Sequence, residues 1–153
     1  IERLAVELRP GDARTHVVAT VTEPAGGASL DEAPVVVAAG QGVGCRENMA
    51  LLEELAKTLG AALGATRPVV DAGWLPESVQ VGQSGKTVRP RLYIACGVHG
   101  ASFHAVGMQN SDIIVAINDE PQAPIFKIAT LGIDGDLREI VPLLTKKLKE
   151  AGI

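Results

Sequence analysis

The sequence predicts an α/β chain of three layers, with a mostly parallel sheet between helices. Three observations predict it. Short continuous runs of Val, Ile, Leu and Ala alternate with stretches whose apolar residues recur at helical spacing. Glycine-rich turns follow several of those runs. Aromatic residues make up only 3%, so the core must be built from branched aliphatics and Ala, the composition of strands buried on both faces.

Taken in order, residues 15–22 (Thr-His-Val-Val-Ala-Thr-Val-Thr) read as a strand, and the Pro, Gly and Ser of 24–29 as a turn or linker. Residues 1–32 are therefore expected to form a strand and linker joined to a domain spanning 33–153. The chain starts with Ile1 rather than Met, which suggests a fragment or a processed chain. The apolar run 34–39 predicts a buried strand. It enters the turn Gly40-Gln-Gly-Val-Gly44 and then a helix from about Arg46, with Met49, Leu52, Leu55, Ala56, Leu59 and Leu63 on one face. Glu53 and Lys57 can pair at i,i+4 on the other face. Strand, glycine turn and helix resemble a dinucleotide fingerprint. The spacing is Gly-x-Gly-x-Gly rather than Gly-x-Gly-x-x-Gly, so a tight ligand-free turn stays open beside a phosphate site.

Residues 65–70 predict the next strand, with Pro68 at its edge or end, and 71–76 a turn. Trp74, the only Trp, is expected to pack at the rim of the core. A polar glycine-rich loop at 82–86, an apolar strand at 92–96 and a second turn, Gly97 to Gly100, lead into the segment carrying His104. Residues 111–117 predict a buried strand, 124–129 a short strand or turn, and 132–136 a turn with two carboxylates. The last helix covers 137–149. Leu137, Ile140, Val141, Leu144 and Leu148 lie on one stripe, and Lys146, Lys147 and Lys149 sit near the C-terminus, where cations suit the helix dipole. Pro142 is expected to kink or restart it. This order is that of a Rossmann-like layered fold, whose site gathers at the carboxyl ends of the strands.

Composition narrows the function. The 153 residues suit one domain with a real core, 46% hydrophobic and 21% charged. A net charge of −4 gives no basic footprint for nucleic acid, and few aromatics means no stacking platform for single strands. No apolar run approaches the roughly 20 residues of a membrane span. Cys45 and Cys96 make no Cys-x-x-Cys pair, which fits a reducing compartment. His99 and His104 are five residues apart and with Cys96 form no zinc pattern. Gly85-Lys86-Thr87 resembles the end of a P-loop, but position 80 is Gln, not Gly, and Pro90 opposes the helix that must follow. Gly82-Gln-Ser84 has its next glycine one place early for a nucleophile elbow, and no strand leads into the serine.

The polar residues left at strand ends are Arg67, Gln83, Ser84, His104, Asn118 and Asp136. Without a positioned acid they form no hydrolytic triad. They suit an anionic, hydrogen-bonding ring system, with the main-chain N–H groups of 82–85 and 97–100 available to a diphosphate. On the residues alone, His104 as a half-buried structural histidine, Arg67 as a surface charge and Cys96 as a small core hydrophobe stay open.

Several segments together resemble one family. They are Gly64-Ala-Thr-Arg67 running to Val70-Asp-Ala-Gly73, Gln80-Val-Gly-Gln-Ser-Gly-Lys86, Pro90-x-Leu-Tyr-Ile-Ala-Cys-Gly97, His104-x-x-Gly-Met108 and Ile114-Val-Ala-Ile-Asn118 running to Pro124-Ile-Phe126. The series is similar to the FAD domain of the electron-transfer flavoprotein alpha subunit, over roughly 35–148. The resemblance implies FAD at the strand carboxyl ends. Arg67 would lie against the flavin ring and favour its anionic reduced forms. Ser84 would hydrogen-bond near flavin N5, and His104 would approach carbonyl O2. Thr66, Gln80, Val81, Gly82, Gln83, Gly85, the turn His99, Gly100, Ala101, Ser102 and Phe103, and Asn118 would line the rest. Asp136 and Leu137 would sit at the adenosine end.

Departures from the family pattern are also visible. Gln41 stands where an Arg is usual near the phosphates, and His99, in place of a common Ser, would partly replace that charge. Phe103 replaces a usual Gln. Cys45 takes the place of a frequent capping Ser and is a poorer cap. The resemblance implies an N-terminal domain in the family's alpha subunit ahead of the stretch matched here, from which the strand at 15–22 would enter.

The resemblance implies an electron carrier rather than an enzyme with a protein nucleophile. Its partners would be the family's beta subunit, acyl-CoA or other flavin dehydrogenases as donors, and a quinone oxidoreductase or other acceptor. Its place would be cytoplasmic in a bacterium or archaeon, or the mitochondrial matrix in a eukaryote. A module binding NAD or another nucleotide, and an interaction domain that has lost its cofactor (suggested by Gln41 and Phe103), are the alternatives.

Overall fold

Five parallel strands form one sheet: β1 (Val35–Ala39), β2 (Ala62–Ala65), β3 (Leu92–Cys96), β4 (Ile113–Asn118) and β5 (Leu131–Asp134), in the order β2-β1-β3-β4-β5. The computed structural model describes Val18 and residues 30–153. The strand expected at 15–22 lies outside the described residues except for Val18, which is exposed. The helices are α1 (Met49–Leu59), α2 (Arg67–Asp71), α3 (Ser102–Ala105) and α4 (Leu137–Glu150).

The sheet splits its core by the two-residue period of a strand. Val37, Ala39, Ile94, Cys96 and Ile117 face Leu52, Leu55, Val69, Leu137 and Val141 from α1, α2 and α4. Val36, Ala38, Tyr93, Ala95, Ile114 and Ala116 point the other way, against Leu30, Val81, Val88, Val98, Met108 and Ile125. α1 and α4 pack together over the first face. The second face is covered by α3 and by folded-over irregular chain between 79 and 88 and around 125. Leu30 and Ala33 are buried in that second cluster.

Two sequence expectations change and two are narrowed. The strand placed at 65–70 is the end of β2 followed by α2; Pro68 lies in the first turn of that helix, where a missing N–H breaks nothing. The turn placed at 132–136 is largely the edge strand β5, four residues long and mostly exposed, so it lacks the apolar run that marks an interior strand. The segment 124–129, expected as a short strand or turn, contains the 3-10 turn Pro124–Lys127. α4 runs from 137 to 150 through Pro142 without restarting. It loses one helical donor there, and the burial of Leu137, Val141 and Thr145 holds it down.

Candidate functional site

The order β2-β1-β3-β4-β5 fixes where a site can form. The chain leaves β1 for β2 on one side and returns to β3 on the other, so the connections after β1 and β3 diverge and open a crevice at their carboxyl ends. At that point the two strands are tied directly: the Gly40 amide donates to the Cys96 carbonyl and the Gly42 amide to the Gly97 carbonyl, both at 2.9 Å. The approach is so close that a Cβ on Gly40 would overlap the Gly97 carbonyl oxygen.

A cavity of about 590 Å³ opens beside this junction, within the usual range for a small-molecule site. It is lined after β1 by Gln41, after β2 by Thr66, Arg67 and Pro68, and by Gln80, Val81, Gly82, Gln83 and Ser84. After β3 come Val98, His99, Gly100, Ala101, Phe103 and His104. A second cavity of about 360 Å³ is lined by Gly42, Val43, Gly44, Cys45, Asn48, Asp119, Asp136, Leu137 and Arg138. Consecutive residues of one turn line them, Gln41 the larger and Gly42 the smaller.

Most sequence-predicted residues are brought to one or other cavity. Gly85, Ser102 and Asn118 line neither. Asn118 is buried and its amide is spent on the backbone: Nδ2 donates to the Val98 carbonyl at 2.9 Å and Oδ1 accepts from the Glu120 amide at 3.0 Å. It fixes the turn after β3 from behind. Sequence reasoning missed Pro68 and Val98 in the larger cavity, and the stretch Gly42 to Cys45, Asn48, Asp119 and Arg138 in the smaller. Asp119 and Arg138 adjoin predicted positions; Val98, an ordinary apolar residue, carried no signal.

His104 sits in α3, 7% exposed. Its Nδ1 lies 2.9 Å from the Val81 carbonyl, which can only accept, so Nδ1 carries the proton. Its Nε2 lies 3.0 Å from the hydroxyl of the fully buried Tyr93, which donates to the remaining lone pair. Burial pushes the imidazole down to about 4, against a smaller opposing effect of the Val81 bond, so the ring is neutral near pH 7. Both nitrogens of the neutral ring are spent inside the protein. A hydrogen bond from His104 to a ligand carbonyl would need a second proton, on Nε2, with the Tyr93 hydroxyl turned to accept.

The charged residues at the rim are paired. Arg67 Nε lies 3.4 Å from Asp71, one helical turn on, and both are well exposed. His99 Nδ1 lies 3.1 Å from Glu120. In the smaller cavity Asp136 caps α4 by accepting from the Arg138 amide at 2.8 Å, and its carboxylate binds the Arg138 guanidinium. That side-chain bond, then the amide, holds the Asp136 carboxyl below its ordinary range. Cys45 precedes a 3-10 turn without a side-chain capping bond. Cys96 is buried in the sheet and its thiol is pushed up to about 12 by desolvation, which makes it a core residue rather than a nucleophile.

One polar atom has no partner. Thr66 lines the larger cavity at 7% exposure, and its Oγ1 is the one buried side-chain oxygen or nitrogen among the described residues without a hydrogen bond. Such an atom is costly unless something satisfies it, and a ligand in the cavity is the natural supplier. Among the described residues no group of His, Cys, Asp and Glu is placed to hold a metal. No described helix is long and apolar enough to cross a membrane.

Fold and site together define a doubly wound domain with cavities beside the switch point between β1 and β3, the place where domains of this class bind ligands. A family model described as the electron transfer flavoprotein FAD-binding domain matches residues 29–109, and the chain belongs to that family. It is 50% identical to the electron transfer flavoprotein subunit alpha of Bacillus subtilis, over 100% of this chain and 46% of that one. It is 48% identical to the subunit of the same name from Clostridium acetobutylicum, over 99% of this chain and 45% of that one. For the Mycobacterium leprae subunit the identity is 47%, over 97% of this chain and 47% of that one. The chain thus spans about half the length of the curated relatives it matches.

Proposed function

We propose that this chain is the FAD-holding part of an electron carrier, taking electrons from flavin dehydrogenases and passing them to an acceptor without a protein nucleophile. The observation that carries the reading is the pair of cavities lined by consecutive residues of the switch-point turn, Gln41 and Gly42, a layout suited to a dinucleotide. The orphaned Thr66 Oγ1 supports it, since FAD is rich in groups that would satisfy it. FAD when bound would supply one- and two-electron redox chemistry; the residues do the rest. Thr66, Arg67, Ser84, Phe103 and His104 would surround the ring in the larger cavity. The turn 40–44 and the amides of 97–101 would hold the diphosphate, where Gln41 brings no charge and His99 is the nearest replacement. Asp136 and Leu137 would hold the adenosine end. Residues 1–32 would lead in from the part of the relatives this chain does not match. Partners would be a beta subunit, dehydrogenase donors and a quinone-linked or other acceptor.

The test is the visible spectrum of the complete two-subunit protein. The expected result is a flavin band and extraction of FAD rather than FMN. A nicotinamide dinucleotide in the same cavities would give no visible band, and failure of the intact complex to take up flavin would overturn the reading.

Arg67 supplies the one guanidinium lining the larger cavity, and its partner Asp71 is exposed and screened. Arg67→Ala is expected to lower the flavin midpoint potential by tens of millivolts, because a cation favours the more negative reduced ring. A redox titration unchanged by the substitution removes Arg67 from this role.

A further inference from the structure

The loop bearing Ser84 is built on a residue that sequence spacing alone gave no special part. Gln80 is 5% exposed, and its main chain is fully committed: its amide donates to the Glu77 carbonyl at 2.9 Å and its carbonyl accepts from the Lys86 amide at 2.7 Å. The loop closes on itself above it, the Gly82 amide donating to the Lys86 carbonyl at 3.1 Å and the Gly85 amide to the Gly82 carbonyl at 3.0 Å. The fit is tight enough that a Cβ on Gly85 would overlap the Gln80 carbonyl oxygen. Exposed Ser84 lies at the tip of this loop and lines the larger cavity, and the Gln80 side chain reaches it from below, with Nε2 donating to Ser84 Oγ at 3.0 Å.

The direction of that bond matters. A serine hydroxyl has one proton to give and two lone pairs. With one lone pair taken by an amide N–H, the hydroxyl proton stays free, and among the described residues no side chain or carbonyl accepts it. We propose that Gln80 is a positioning residue: it holds Ser84 from beneath so that the serine meets the ligand as a hydrogen-bond donor. The cavity thereby selects a ligand with an acceptor, a ring nitrogen or carbonyl, at that point. A carboxylate at position 80 would do the opposite, drawing the serine proton inward. The inference rests on FAD as the ligand and deepens that reading.

The test is a double-mutant cycle on FAD affinity, in the complete two-subunit protein stripped of flavin and titrated with FAD by fluorescence. Ser84→Ala is expected to weaken FAD about tenfold, the effect of one lost hydrogen bond. Gln80→Met keeps the length without the donor and is expected to reproduce most of that loss. The pair together should lose about tenfold, not a hundredfold, because both act through one hydroxyl. Gln80→Glu should behave like Ser84→Ala, and adding it to Ser84→Ala separates the effect of its charge. A readout without flavin checks the contact itself: in the stripped protein, exchange of the Gln80 side-chain amide protons should quicken in Ser84→Ala. Multiplicative losses in the cycle, or FAD affinity untouched by Gln80→Met and Gln80→Glu, overturn the role of Gln80 while leaving FAD binding intact. A wild-type complex that binds no FAD overturns the function itself and the inference with it.

Discussion

Gly100→Ala is expected to lower unfolding stability by about 3 kcal/mol and to weaken ligand binding in the larger cavity. Two effects add. Gly100 has a φ of +86, in the left-handed region that a side chain makes unfavourable by roughly 1–2 kcal/mol. Its new Cβ would also overlap the Ile125 amide nitrogen, and crowding of a packed site costs about 1–3 kcal/mol more. The obstacle is backbone, not the end of a flexible side chain, so it cannot step aside cheaply. That same Ile125 amide donates to the His99 carbonyl at 3.0 Å, a bond that fastens the loop after β3 to the 3-10 turn Pro124–Lys127. Pushing the two apart moves His99, Gly100 and Ala101 together, and all three line the cavity. Gly60→Ala is the control. Its φ is +59 at the end of α1, and a Cβ there meets nothing within 4 Å, so only the backbone effect of about 1 kcal/mol applies. Urea denaturation of both variants checks this; equal losses would mean that the contact of Gly100 with Ile125 does not hold the loop.

What the sequence made legible follows a physical division. Strands β1, β3 and β4 are uninterrupted apolar runs because both faces of each are buried, and such runs stand out against any turn. β5 is an edge strand with one neighbour and exposed side chains, so its Leu-Gly-Ile-Asp reads as a turn from composition. At 65–70 the β-branched Val69 and Val70 suggested a strand. The segment is helical because Pro68 suits a first helical turn and Val69 finds a slot under the sheet, a tertiary contact that local propensity does not report.

The site divides in the same way. Glycine turns and polar residues after strand ends were visible in the chain, and most gathered at the two cavities. Asn118 was visible for the same reason, yet its amide is occupied by Val98 and Glu120, and no spacing rule tells a residue that faces a ligand from one that braces the turn behind it. The bond between Tyr93 and His104 joins a strand interior to a helix, so Tyr93 read only as a core residue.

That bond sets the second large expectation. In the protein without ligand, unfolding stability should fall by about 3 kcal/mol as pH drops from 6.5 to 4, and His104→Gln should remove that part of the fall. An unfolded histidine titrates at about 6.5. In the fold, desolvation holds His104 at about 4. Above pH 6.5 both states carry a neutral ring and the histidine contributes no pH dependence. Between 6.5 and 4 the unfolded chain takes up a proton that the folded chain refuses, so stability declines as pH falls; below 4 both states are charged and the decline from this group ends. One pKa unit is about 1.4 kcal/mol, which over this interval gives the figure of about 3. The groups facing the ring cannot soften the effect. The Val81 carbonyl already accepts the Nδ1 proton, and the Tyr93 hydroxyl, whose own ionisation burial raises, brings no negative charge. Carboxylates such as Asp136, held below their ordinary range, add their own loss only toward the acid end of this interval, and the comparison with His104→Gln subtracts it. Urea midpoints at half-unit steps of pH, wild type against His104→Gln, give the difference curve. A curve flat between 6.5 and 4 would show that His104 accepts a proton inside the fold as readily as outside it. The buried neutral ring, and the Nδ1-protonated tautomer that follows from it, would then be wrong.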